Sequence, residues 1–192
     1  MYLTNYQLSK KKERLFLLSL FIISVFLRIP IVLITGDTTL ENEWGILVNN
    51  LINHKPLAYN YYDSSLEIFL FPSIYMPPFY AYYLYFYSFF NLEVENYIKL
   101  ILFSQIILSS LSVVIFYEIN KIFFSKKLSF LSSILFSIIP INLYVCGQIS
   151  SATLQVFFTI LFYLLFFLVL KNKNFISIVY LSIVSGLLIL LI

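Results

Sequence analysis

The chain has 192 residues, of which 61% are hydrophobic and 11% charged, and its mean hydropathy is +0.93. With Gly 4 and Pro 6, that composition excludes a soluble globular domain, intrinsic disorder and collagen-like or low-complexity structure. A formal net charge of +3 is too small and too dispersed for a nucleic-acid surface, and the lone Cys146 excludes an intramolecular disulfide and a thiolate metal site.

Residues 1–14, with Lys10, Lys11, Lys12 and Arg14, read as a cytoplasmic N-terminus, and residues 15–35 as a first transmembrane helix. Leu15 to Ile34 supplies the roughly 20 apolar residues that cross about 30 Å of hydrocarbon. The run is too long for a signal peptide and has no small-residue cleavage site. Residues 36–96 follow as one large extracytoplasmic loop holding seven of the nine acids. Within it Trp44, Leu47, Val48, Leu51 and Ile52 recur at helical spacing, which predicts an amphipathic interfacial helix broken at His54, Lys55 and Pro56. Ile74 to Phe90 is apolar, but its Tyr75, Phe79, Tyr80, Tyr82, Tyr83, Tyr85, Phe86 and Tyr87 have the composition of an aromatic belt at headgroup level. Pro77 and Pro78 suit the first turn of a helix there. It is read as lying on the outer leaflet rather than crossing.

Residues 97–192 read as transmembrane helices two to five: Tyr97 to Glu118, Leu128 to Val145, Ala152 to Leu170 and Phe175 to Ile192. The chain stops inside an apolar run, so it is expected to be a piece of a longer polypeptide. The expected fold is therefore an all-α, multi-pass integral membrane protein of about five transmembrane helices, with a large first extracytoplasmic loop carrying interfacial helices. Lys/Arg clusters mark cytoplasmic flanks. The N-terminal group, Lys121 with Lys126 and Lys127, and Lys171 with Lys173 are expected on one side, with the N-terminus cytoplasmic in a plasma (inner) membrane.

Three carboxylates, Asp37, Glu41 and Glu43, lie just beyond helix one. A carboxylate at a partly desolvated interface serves as a general base, or as an oxygen ligand for a divalent metal; the plainer alternative is a solvated acidic loop. Arg28, about two turns inside helix one, is an intramembrane charge and so a functional candidate, unless it merely snorkels to the headgroups.

This order of features, through Glu41-Asn42-Glu43-Trp44, the Asn50-Leu51-Ile52 run, Tyr75-Met76-Pro77-Pro78-Phe79-Tyr80, and Pro140 followed by Tyr144 to Ser151, resembles the membrane glycosyltransferases of the GT-C class. It is most similar to the branch of protein O-mannosyltransferases and aminoarabinose transferases. Two departures stand out: the acidic motif is shifted, and Ser150 and Ser151 occupy a later loop that often carries a second acid in the family.

The resemblance implies transfer of a sugar from a polyprenyl-phosphate donor to an acceptor at the outer membrane face, with a carboxylate as base. Glu43 is the first choice, because Trp44 beside it offers a sugar-stacking face; Glu41 and Asp37 are the alternatives. Arg28, His54 and Lys55 would meet the donor phosphate, and Trp44, Tyr75, Tyr80 and Gln148 would line the substrate. No resident metal is implied, and membrane lipid is a further partner. The rival class is a non-enzymatic protein, such as a lipid-linked-sugar flippase subunit or a structural partner of a membrane complex. With Gly186 the only glycine inside an expected span, the helices have no glycine-built packing seam. The isolated chain is therefore expected to be inactive without further helices or a partner subunit.

Overall fold

The computed structural model describes residues 2–40, 43–62, 68–72, 76–172 and 174–192. These form helices α1 (Tyr2–Thr35), α2 (Glu43–Ile52), α3 (Pro78–Ser88), α4 (Val94–Phe123), α5 (Lys126–Ser137), α6 (Pro140–Val145), α7 (Ala152–Asn172) and α8 (Phe175–Ile189). The exception to helix is a hairpin between α2 and α3, in which β1 (Ala58–Tyr62) pairs antiparallel with β2 (Ile68–Pro72), Ala58 opposite Pro72.

Three helices are long and apolar enough to cross a membrane, over Glu13–Thr35, Val94–Phe123 and Ala152–Lys171, and they mark the chain as a membrane protein. The expected count of five is not met by length. Leu128 to Val145 is broken between Ser137 and Pro140, because proline lacks the N–H that would continue the ladder and pushes the residue before it out of helical backbone; Ile139 has φ −58° and ψ 121°. The 15-residue α8 extends only about 22 Å at 1.5 Å per residue. The 11-residue α3 extends about 16 Å, half of a hydrocarbon core.

One end of the bundle is tied by charge. Lys121 of α4 donates to Glu13 of α1 and to Glu118, and sits 5.3 Å from the Tyr117 ring centre. Phe123 meets Phe167 edge-on at 4.9 Å, so the ends of α4 and α7 share this level. The N-terminal part of α1, Lys121 and Lys171 thus lie at one end of the bundle.

The central element is α4, whose Ile98, Ile101, Gln105, Ser109, Ser112, Val113, Tyr117 and Asn120 are buried at three- and four-residue spacing. Against it α5 turns Ser129, Ser133 and Ser137, all buried at every fourth residue. Two of these hydroxyls are satisfied within their own helix turn, and the third, Ser137 Oγ, donates to Ser24 Oγ of α1 at 3.5 Å. Ser129 Oγ donates to the Ser125 carbonyl at 3.0 Å and Ser133 Oγ to the Ser129 carbonyl at 2.8 Å. Small, self-satisfied side chains let backbones approach closely, as glycine seams do in membranes. The missing glycine seam is therefore replaced by serine. Ser133→Leu is expected to force α5 off α4 and cost about 1–3 kcal/mol by overpacking. Thermal unfolding in detergent reads this; an unchanged melting temperature would show that the seam is loose.

At 30 residues, α4 is about 45 Å long and outreaches a hydrocarbon core of about 30 Å. Gly36, just past α1, lies against Leu102, so the first turns of α4 project beyond the end of α1. On this projection sit α2 and α3. Trp44, Leu47 and Val48 of α2 and Tyr80, Ala81 and Leu84 of α3 are buried in one core with Tyr97, Ile98 and Ile101. The apolar face of α2 is thus spent on protein rather than on lipid. The aromatic helix α3 divides by face: Phe79, Tyr80, Tyr83 and Tyr87 pack on the core while Tyr82 and Phe86 are exposed, so only two of the seven described residues of the expected belt are exposed. The buried Asn50 Nδ2 donates to the Ala58 carbonyl at 2.6 Å and fixes the aromatic-rich hairpin to α2.

Candidate functional site

The site forms where α1 stops. Thr35, Gly36 and Asp37 are clasped by the loop that follows α6. Asp37 N–H donates to the Gly147 carbonyl at 2.9 Å, Ile149 N–H donates to Asp37 Oδ2 at 2.6 Å, and Gln148 Nε2 donates to the Thr35 carbonyl at 2.8 Å. The two backbones touch. A Cβ built on Gly147 would lie 3.3 Å from the Gly36 Cα, and one on Gly36 would lie 2.4 Å from the Val32 carbonyl, so glycine serves at both by lacking a side chain.

The loop is held from below by Gln105. Its Nε2 donates to the carbonyls of Cys146 at 3.2 Å and Gln148 at 2.9 Å, while its Oε1 accepts from the Tyr80 hydroxyl at 2.9 Å. Gln105 and Tyr80 are fully buried. Burial first, with Tyr83 second, holds the Tyr80 phenol well above the usual tyrosine range, so it stays a neutral donor. Burial also pushes the Cys146 thiol up to about 11, against the opposing pull of Arg28. A continuous chain of hydrogen bonds thus runs from α3 through α4 and the 146–149 loop to Asp37.

Asp37 is half-buried, and its Oδ1 makes no hydrogen bond among the described residues. Beside it lies a cleft of about 470 Å³, walled by Thr38 and by Val94, Glu95, Ile98, Lys99 and Leu102 of α4. Lys99 pairs with Glu95 one turn away, and both are exposed. The arrangement is a carboxylate fixed through one oxygen, with the other free of hydrogen bonds among the described residues, lining a cleft that also presents a cation.

The remaining sequence candidates scatter. Glu43 is exposed in the first turn of α2. Trp44 is 7% exposed and meets the Tyr80 ring edge-on at 4.7 Å, so its faces are turned to the core and not to a sugar. His54 has φ 56° and closes α2: its N–H donates to the Leu51 carbonyl and Lys55 N–H to the Asn50 carbonyl, both at about the 3 Å of an ordinary bond. His54 and Lys55 are exposed on that turn, which gives them a capping role. Gln148 serves the clasp. Glu41 and Tyr75 lie outside the described residues.

Arg28 is 0% exposed, and it does not snorkel. Its Nε donates to Ser109 Oγ at 2.8 Å and its Nη1 to the Ser24 carbonyl at 2.9 Å and to Ser24 Oγ, leaving Nη2 buried without a partner. Among the described residues no group of three or more His, Cys, Asp or Glu converges on a point where a metal ion could sit.

Neither Gln105, which the sequence marks only as the chief polar residue within helices two to five, nor Lys99 is among the site residues expected from the sequence. A glutamine inside a 30-residue apolar helix is a signal in itself, since a polar side chain in hydrocarbon must find a partner. Compared with known proteins, the chain matches no family model, no curated protein and no solved structure.

Proposed function

We propose that the protein is a membrane glycosyltransferase of the kind that uses polyprenyl-phosphate sugars, and that Asp37 is its general base. The observation that carries this reading is the Asp37 carboxylate, pinned through Oδ2 by the 146–149 loop, with no hydrogen bond on Oδ1 among the described residues, on the lining of the cleft. A base must be held in place and accessible at once. Glu43 has the access without the anchoring, which moves the role from Glu43 to Asp37.

In the displacement, the acceptor hydroxyl oxygen attacks the anomeric carbon of the donor and its proton passes to Asp37 Oδ1. The bond from that carbon to the phosphate oxygen breaks, and the lipid phosphate leaves with the electron pair. Lys99 is the cation on the same cleft and would offset the charge of the departing phosphate. Arg28 reaches a phosphate only if the Ser24 and Ser109 contacts open. The reading includes an N-terminus on the cytoplasmic side, as the shared level of Glu13, Lys121 and Lys171 suggests, and the passage of α5 with α6, and of α8, alongside the three long helices.

In membranes from cells producing the protein, supplied with a panel of polyprenyl-phosphate hexoses, Asp37→Asn is expected to reduce transfer by about 10²–10⁴-fold, the usual loss on removing a general base. The amide keeps an oxygen for Ile149 N–H, so the clasp survives. Glu43→Gln is expected to retain transfer. Full transfer by Asp37→Asn removes it as the base, and no transfer by the unmodified protein with any donor, in native membranes that also hold the partner chains it is expected to need, removes the enzyme reading.

One observation favours the rival, a flippase subunit: a polar column of Ser24, Arg28 and Ser109 buried within the bundle, the sort of feature that marks ion and substrate paths. Donor movement across vesicles without acceptor-dependent consumption would support that reading.

A further inference from the structure

Arg28 stands where four parts of the chain meet. Its own helix α1 carries Ser24 one turn away, and α4 carries Ser109. The last turn of α5 brings Ser137, whose Oγ donates to Ser24 Oγ at 3.5 Å, and the 146–149 loop brings the Cys146 thiol. All five residues are buried, with Arg28, Ser24 and Cys146 at 0% exposure. A guanidinium cannot escape its charge there by giving up a proton, as a buried lysine can.

The hydrogen bonds around this charge do not balance. Nε and Nη1 use the Ser109 and Ser24 hydroxyl oxygens and the Ser24 carbonyl, which leaves both N–H groups of Nη2 without an acceptor. The Ser24 and Ser109 hydroxyls act here as acceptors, and among the described residues the hydrogen of neither one reaches an acceptor of its own. The Cys146 S–H is spent on the Leu143 carbonyl at 3.1 Å. The cluster is thus rich in donors, short of acceptors and out of balance by one positive charge. Among the described residues no carboxylate pairs with Arg28, and the titratable group that acts on it is the Cys146 thiol. A water molecule would bring two hydrogens that need acceptors and no charge at all. An enclosed single positive charge ringed by spare donors selects a small monovalent anion, which only accepts.

We propose that an anion of the chloride class binds inside the bundle on Arg28 Nη2 and the hydroxyls of Ser24 and Ser109, as the resident counter-ion of the guanidinium. It joins α1 to α4 beside the loop that clasps Asp37, and it does so whether or not a sugar is transferred.

The full chain in neutral detergent is exchanged into sodium gluconate and titrated with sodium chloride or bromide at constant ionic strength, with melting followed by the fluorescence of Trp44, the lone tryptophan. Either halide, at a hundredfold excess over its Kd, is expected to raise the melting temperature by about 5 °C or more through mass action. Sulfate, which carries two charges, should not. Equilibrium dialysis with radioactive chloride should show saturable binding equimolar with the chain. Arg28→Met, in which the cost of the buried charge is gone, should melt alike in gluconate and chloride and bind none. Ser109→Ala keeps the charge but removes one hydroxyl, and should need about tenfold more chloride for half of the shift. Melting of the unmodified chain that ignores halide, as a buried water would leave it, overturns the proposal. So does an equal shift in Arg28→Met, which would place the ion elsewhere, or an equal shift with sulfate, which would mark a general effect of salt.

Discussion

Gln105→Leu is expected to expose Cys146 to a membrane-permeant maleimide that does not touch it in the unmodified protein. Cys146 is fully buried and its thiol is held protonated, so it is a silent reporter at the base of the clasp. Leucine matches glutamine in bulk, but it abandons the Tyr80 hydroxyl and the carbonyls of Cys146 and Gln148 at once. Each buried group left unsatisfied costs about 1–3 kcal/mol, so for these three the loss is on the order of 3–9 kcal/mol, comparable to the whole stability of many domains. The damage should concentrate in the 146–149 loop, left with the clasp to Thr35 and Asp37 and its own turn bonds, and Asp37 should lose its fixed position with it. Gln105→Glu is the informative companion: it still accepts from Tyr80 but cannot donate to the two carbonyls. Cys146 as protected in Gln105→Leu as in the unmodified chain, with unchanged melting, would mean that the loop is held by something other than Gln105.

Arg28→Met and Arg28→Lys are expected to move stability in opposite directions. The guanidinium is buried, hydrogen-bonded to serine hydroxyls and a carbonyl, near the Cys146 thiol, with no carboxylate pairing it among the described residues and one nitrogen unpartnered. A charge in that setting costs several kcal/mol of desolvation that neutral hydroxyls only partly offset. Methionine fills a similar volume without charge, and the freed Ser24 and Ser109 hydroxyls can turn back to carbonyls of their own helices. Replacing buried ionic groups by apolar ones often stabilises by about 1–4 kcal/mol, and Arg28→Met should raise the melting temperature accordingly. Lysine keeps the charge, loses the fork that reaches Ser24 and Ser109 together, and should lower it. If Arg28→Met is the more stable protein and has lost donor binding, the arginine is kept for function. A marked fall in melting temperature for Arg28→Met would show that its hydrogen bonds outweigh its desolvation.

The three long apolar runs were legible from the sequence because length and composition alone define them, and so was α2, whose apolar positions recur with helical period. What those faces meet was not legible. The period that buries Trp44 and Val48 is the same whether the other side is lipid or protein, and only the projecting part of α4 made it protein. The aromatic run misled for a related reason: Tyr80 and Tyr82 are alike in composition, yet one hydroxyl is buried on Gln105 and the other residue faces outward. The hairpin was missed because Ala58 to Tyr62 and Ile68 to Pro72, although rich in strand-favouring aromatics, lie in a segment judged by its acids. The break before Pro140 was readable from that proline, but hydropathy outweighed it. At the site, the sequence marked the acidic segment as a region, while the choice proposed among its acids rests on Ile149 and Gly147, more than a hundred positions away, which no local pattern foretells.

The overhang of α4 has a consequence for where the Asp37 cleft stands. Because α4 is one continuous helix tied to α1 at its far end through Lys121 and Glu13, the layer of α2 and α3 rides at a fixed height above that anchor. The bilayer supplies no such fixed height: hydrocarbon thickness differs by several ångströms among cell membranes, and mismatch is relieved by tilt or by local thinning at modest cost. The height of the Asp37 cleft above that anchor is therefore set by the rigid length of α4 and not by the lipid around it.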